Sequence, residues 1–169
     1  MILPTAEDML RTIEGTFDTV IRPTLTGTTE RSAAATISHL LRLARLRLER
    51  EGQVLYDDIA ALRALLTHIR TYLAGIGEAA AVAALDPALE PKPLAEGQYP
   101  TLTLAGQQAS GLRGALETAL ARLQEIRDVH GAAADYQQLR AAIRTYMAEQ
   151  LRRESELIEP AFWGQGPRR

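Results

Sequence analysis

Cysteine is absent from the 169 residues, which excludes disulfides, zinc thiolate sites, iron–sulfur clusters and thiol catalysis. Lysine is nearly absent too: Lys92 is the only one, and arginine carries the remaining positive charge. Basic runs are missing, the formal net charge is −2, and the terminal pair Arg168-Arg169 is too short for a phosphate-binding arm. Nucleic acid is therefore not an expected partner. No stretch approaches the ~20 apolar residues that span a bilayer. Met1-Ile2-Leu3 runs straight into Pro4 and an acidic helix start, with no basic segment or long apolar run. The expectation is a chain without membrane contact, in the cytoplasm. Aromatic residues amount to only 5%.

What remains is rich in alanine and leucine, which carry most of the 46% apolar fraction. Both suit helices, whereas β-branched and aromatic residues favour strands. The expected fold is all-α, an up-down bundle of four to five helices in a single domain, 1–169. Helix one should run from Thr5, with Asp8 in the capping-box position, to about Ile21, with apolar Met9, Ile13, Phe17 and Val20 at helical spacing. Helix two should run from Thr28 or Thr29 to Gly52, with a core stripe of Ala33, Ile37, Leu40, Leu41, Ala44 and Leu48. Leu43 and Leu46 lie on its other side, and a helix apolar on two sides is either central in the fold or buried by another subunit. Helix three should run from Leu55 to Ala74, form a hairpin with helix two through Gly52, and take Gly75 as its left-handed cap. Between 75 and 100, Pro87, Pro91, Pro93 and Pro100 predict a Pro-rich crossover holding one short helix, Glu78 to Leu85. Helix four should end near His130, and helix five should run from Ala133 to Glu159, where Pro160 stops it and a tail, 160–169, begins. An internal echo, Ile69-Arg-Thr-Tyr-Leu-Ala74 against Ile143-Arg-Thr-Tyr-Met-Ala148, raises two hairpins related by pseudo-twofold symmetry, with coincidence as the alternative.

Motifs that carry chemistry are missing. Carboxylate-bridged di-metal bundles need Glu-x-x-His pairs, and no glutamate here has histidine three residues on. His39, His68 and His130 fall on three different predicted helices. No serine stands in a Gly-x-Ser-x-Gly elbow, and no strand precedes a Gly-rich phosphate loop. No catalytic residue, metal or cofactor is assigned. Four polar side chains fall near one end of the helix four–helix five pair: Arg127, His130, Tyr136 and Arg140. They suggest an anion-binding cluster; the ordinary alternative is cations satisfying helix C-terminal carbonyls. Asp58, read as first-turn, suits a helix N-terminus. Gln150 and Glu154 face the stripe of helix five near its end. Arg70, Tyr72, Arg144 and Tyr146, from the echo, are either a shared site or core-capping tyrosines with solvated arginines. Adjacent Phe162 and Trp163 need a surface to dock on, and with Leu43 and Leu46 they make a homodimer the expected assembly.

Pro4-Thr5-Ala6 opening an amphipathic helix, Val20-x-x-Pro23-x-Leu25-x-Gly27, and an Ala-rich helix ending in Arg47-Leu-Glu-Arg-Glu51 form a further pattern. Over residues 4–66 it resembles a family of small bacterial helical proteins encoded beside aminoglycoside-phosphotransferase-like kinases and acyl-CoA dehydrogenases. That resemblance implies no catalytic residues. It implies an accessory role near acyl-CoA or phosphotransfer metabolism, with such an enzyme as a protein partner. The functional expectation is thus a non-catalytic interaction protein, with a binder of a small anionic ligand between helices, or an enzyme, as the alternative.

Overall fold

The computed structural model describes residues 4–90 and 100–162, the last three by backbone alone. Every regular element among the described residues is helical: α1 (Ala6–Thr16), α2 (Thr28–Gly75), α3 (Ala79–Leu89), α4 (Leu102–Glu125), the single turn α5 (Arg127–His130) and α6 (Ala134–Phe162). The all-α bundle expected from the sequence is what forms. No described helix is long and apolar enough to cross a membrane. Contacts divide the chain into two compact units, Met1–Gly52 with Arg152–Arg169, and Gln53–Leu151.

The first unit starts with the capping box that the sequence predicts. Thr5 Oγ1 accepts from the Asp8 amide, and the Thr5 amide donates to Asp8 Oδ2, both at 3.1 Å. That hydrogen bonding also holds the Asp8 carboxyl below the usual range. Helical winding then continues to the expected limit in a changed form. A π turn spans Phe17–Ile21 and a 3-10 turn spans Arg22–Thr24, with Pro23 in its opening residues. The part of α2 in this unit turns a small and polar face inward. Ala34 and Ser38 are the buried residues here among those described, and Leu41, Arg42 and Arg45 are half-buried.

The second unit is a four-helix, up-down-up-down bundle, and its polar contacts give the order. Arg70 pairs with Asp86 at 2.6 Å and Arg63 donates to the Leu89 carbonyl at 2.8 Å, so α3 runs back along α2. Arg113 of α4 meets Asp58, and Arg122 meets Glu78, so α4 again runs with α2. Tyr136 reaches the Leu123 carbonyl and Tyr146 reaches Asp58, so α6 returns antiparallel to both. Inside lie Leu62, Leu66, Ile69 and Leu73 of α2, Leu85 of α3, Leu112, Leu116 and Leu123 of α4, and Leu139 and Ile143 of α6. Those from α2, α4 and α6 are the stripe positions that helical periodicity marks as core.

Four boundaries differ from expectation. Gly52 is helical inside α2, so the hairpin expected there does not form. One glycine costs an exposed helix only about 1 kcal/mol, and the flanking residues are good helix formers. The segment Ile69–Ala74 therefore lies in the first helix of an α2–α3 pair, while Ile143–Ala148 lies in the second helix of an α4–α6 pair. The left-handed residue that ends α2 is Gly77 (φ +82°), not Gly75. The Gly77 amide bonds the Ala74 carbonyl at 3.2 Å and the Glu78 amide bonds that of Leu73 at 2.9 Å, the pair that defines a Schellman ending. Finally, α3 runs through Pro87 to Leu89, where an extended crossover was expected. Arg63 accounts for this by donating to the otherwise unpaired Leu89 and Glu90 carbonyls at 2.8 and 3.4 Å. Likewise α6 continues past Pro160 to Phe162.

Candidate functional site

In the first unit, the helix contact is ionic, Leu10, Phe17 and Leu41 are half-buried, and a series of other large apolar side chains is exposed. Glu14 accepts from Arg42 Nε at 3.0 Å and lies 3.5 Å from Arg45 Nε. Asp18 accepts from Ser38 Oγ at 2.7 Å and lies within 3.6 Å of both Arg22 and Arg42. Glu14, Arg42 and Arg45 keep only 17 to 30% of their side-chain surface exposed. By contrast Ile13 is 51%, Val20 61% and Leu40 56% exposed, with Met9, Ile21, Ile37 and Leu48 close behind. Most of the α2 stripe read as core is thus exposed, with Leu41 the half-buried exception, and Leu43 and Leu46, read as the second face, are half-buried. The inversion has a physical cause. Ala34, Ser38, Leu41 and Arg45 recur at helical spacing too, and complementary charges on α1 select that face.

The second unit buries one acid. Asp58 is 2% exposed and sits well inside α2, not at a helix start. No free backbone amides surround it there, so the dipole argument made for it does not apply. Its partners are Tyr146, donating to Oδ1 at 2.8 Å, and Arg113, donating to Oδ2 at 2.7 Å. Burial, and then the bond to Asp58, push the Tyr146 hydroxyl well above the ordinary tyrosine range. This triad was invisible in the sequence because Arg113 lies 55 residues from Asp58. One signal was present: Asp58 stands one turn before Leu62 on the stripe that continues through Leu66, Ile69 and Leu73.

The proposed anion cluster is dispersed in its chemistry. Tyr136 is buried and donates to the Leu123 carbonyl at 2.8 Å. Arg127 is exposed, and His130 and Arg140 are half-buried. No hydrogen bond or ion pair joins these four side chains among the described residues. Arg70 is engaged by Asp86, and Arg144 is exposed. Gln150 is half-buried, as is Glu154.

Hollows lie on the second unit, and two are defined by described residues. One, about 620 Å³, is floored by Ala81, Leu85 and Ala119 between α3 and α4. At its rim Arg122 pairs with Glu78 and Glu125, each at 2.7 Å, and the Arg122 bonds hold the Glu78 carboxyl below its usual range. The other, about 320 Å³, lies where the end of α2 meets the start of α6 and is lined by His68, Tyr72, Asp135 and Gln138 among others.

Among the described residues no group of three or more His, Asp or Glu is placed to hold a metal ion. Phe162 ends α6 with its side chain undescribed, and Trp163 lies outside the described residues. No protein-family model, no curated protein and no solved structure matches this chain.

Proposed function

We propose that this chain is a non-catalytic interaction protein whose α1 and first half of α2 present an apolar surface to a second copy of the chain. The observation that carries the reading is the inversion in the first unit. Met9, Ile13, Val20, Ile37, Leu40 and Leu48 are exposed while Glu14, Asp18, Ser38, Arg42 and Arg45 are turned inward. Isolated exposed leucines are ordinary, but a series at helical spacing on two successive helices is the surface that partners cover. Covering the remaining half of each side chain is worth about 1 kcal/mol. A twofold arrangement uses the same surface on both copies, so one series of apolar residues serves both sides.

The same surface is the place where a heterologous partner would sit. The resemblance over residues 4–66, which lies on these helices, makes a kinase-like or acyl-CoA enzyme the accessory-role version of this reading. Light scattering on a size-exclusion column separates the versions. The expected result is a dimer at micromolar concentration that becomes monomeric in Leu40→Glu, with thermal unfolding of the second unit unchanged. A wild-type monomer overturns self-association, and co-elution of the separately purified chain with a kinase-like or acyl-CoA enzyme then decides the accessory version.

A further inference from the structure

The outward face of α2 in the first unit varies in size along its length. Ala33, Ile37, Leu40, Ala44 and Leu48 are all exposed. They follow one another three or four residues apart, a spacing that keeps side chains on one side of a helix, so they form a single seam. Ala33 and Ala44 leave shallow places in that seam. A helix packed against it fills them only with large side chains of its own.

The seam itself can supply those side chains. Laid antiparallel on a second copy, with the twofold axis beside Leu40, Ile37 faces Ala44 and Leu48 faces Ala33. The symmetry makes each pairing twice. Parallel pairing instead sets alanine on alanine and leucine on leucine, with voids at the first and crowding at the second. Charge makes the same choice. Arg47 and Arg50 are exposed along one edge of the seam, near its end. Parallel pairing brings each against its own counterpart, like charge on like charge. Antiparallel pairing sets them beside Thr36 and Ser32 of the second copy, whose hydroxyl oxygens accept from guanidinium groups. The opposed helix dipoles also favour it. Glu51 is held by Arg47 of its own chain at 2.6 Å, so Glu30 of the second copy faces a neutral pair.

We infer that a second copy docks along this seam in antiparallel register, with Leu40 at the twofold axis, Ile37 against Ala44 and Ala33 against Leu48. The inference rests on the self-association proposed above and adds which residues meet.

The chain has no cysteine, so one introduced cysteine reports one position. Full-length Ile37→Cys, Ala44→Cys and Glu49→Cys are checked as dimers by light scattering under reducing conditions. Each is then mildly oxidised, alone and after subunit exchange with the others, and the products are identified by mass. The expected product is the hetero-disulfide of Ile37→Cys with Ala44→Cys. Neither variant should cross-link to itself, because like positions then stand about 10 Å apart along the helices, beyond the roughly 4–7 Å that a disulfide spans. Glu49→Cys, on the side of α2 away from the seam, should give none. A size swap supplies a second measurement. Ala44→Ile should weaken the dimer about tenfold or more although it adds apolar surface, and Ile37→Ala should weaken it too. The double variant Ile37→Ala with Ala44→Ile should return to wild-type affinity. A wild-type monomer overturns self-association itself. A dimer in which Ile37→Cys and Ala44→Cys each cross-link to themselves, or give no hetero-disulfide when mixed, overturns the register alone. So does a dimer tightened by Ala44→Ile.

Discussion

Asp58 is buried in the second unit between two partners, Arg113 and Tyr146. Deleting them should not be equivalent. Arg113→Ala leaves a nearly fully buried carboxylate without its cation and should destabilise by about 3 kcal/mol or more. Tyr146→Phe leaves the ion pair and removes one hydrogen bond to a charged group, so a loss of about 1.5–3 kcal/mol is expected. Urea unfolding of the two variants measures the ordering. The tyrosine also sets an alkaline limit. Its pKa is raised in the fold by burial, as is that of Tyr72, so above pH ~10 the unfolded chain loses phenolic protons that the folded chain retains. Stability from these groups is intact below pH ~10 and falls as pH rises above it. Melting curves between pH 8.5 and 11 should show that decline, and Tyr146→Phe should make it shallower. At this scale the sequence put Asp58 on the core side of its helix but explained it as an acid at a helix start. Asp58 stood on a core stripe, but its partners come from helices 55 and 88 residues away, and nothing local marks Arg113 as different from its neighbours.

Helix interiors were easier to read than helix ends. Periodicity located the core of α4 and α6 because Leu112, Leu116, Leu123, Leu139 and Ile143 have no competing face. Ends depend on which residue takes left-handed backbone or which distant donor reaches a carbonyl. Gly52, Gly75 and Gly77 are the same residue type, yet only Gly77 has positive φ among the described residues. Substitution separates them. Gly52→Ala should stabilise by about 0.5–1 kcal/mol, because alanine suits an exposed helical position better than glycine. Gly77→Ala should destabilise by about 1 kcal/mol or more, since a Cβ is strained at φ +82°. Calorimetric melting of the two variants gives opposite signs; destabilisation by Gly52→Ala would restore a turn there. Arg63 on the α3 carbonyls is the corresponding case for a donor, 26 residues from the helix end it closes.

The packed apolar core in the described residues belongs to Gln53–Leu151. A fragment of those residues should therefore fold cooperatively by itself, with a sharp thermal transition by circular dichroism. A broad, non-cooperative melt would show that the remaining residues are needed. Overall helicity was legible from composition because alanine and leucine abound and aromatic residues are few. What the sequence could not show was which face of α2 goes inward in the first unit. Apolar periodicity nominated Ile37, Leu40 and Leu48, and ionic partners on α1 chose Ser38, Arg42 and Arg45 instead. Leu43 and Leu46, read as a second face, are half-buried instead, since the choice of inward face rests on charges in another element.

Glu14 of α1, Asp18 of the π turn and the arginines of α2 give the first unit a response to salt that an oil-like contact lacks. Dissolved ions screen exposed and half-exposed charges within about 3 Å at 1 M, whereas association of apolar surfaces is not weakened by them. Sodium chloride at that concentration should speed amide exchange in residues 6–21 relative to residues in α4 and α6, and leave self-association intact. Equal slowing or no change in 6–21 would argue that the helix is held by something other than its ion pairs. Brine would thus loosen the inward, ionic side of this helix without weakening any apolar contact on its outward side.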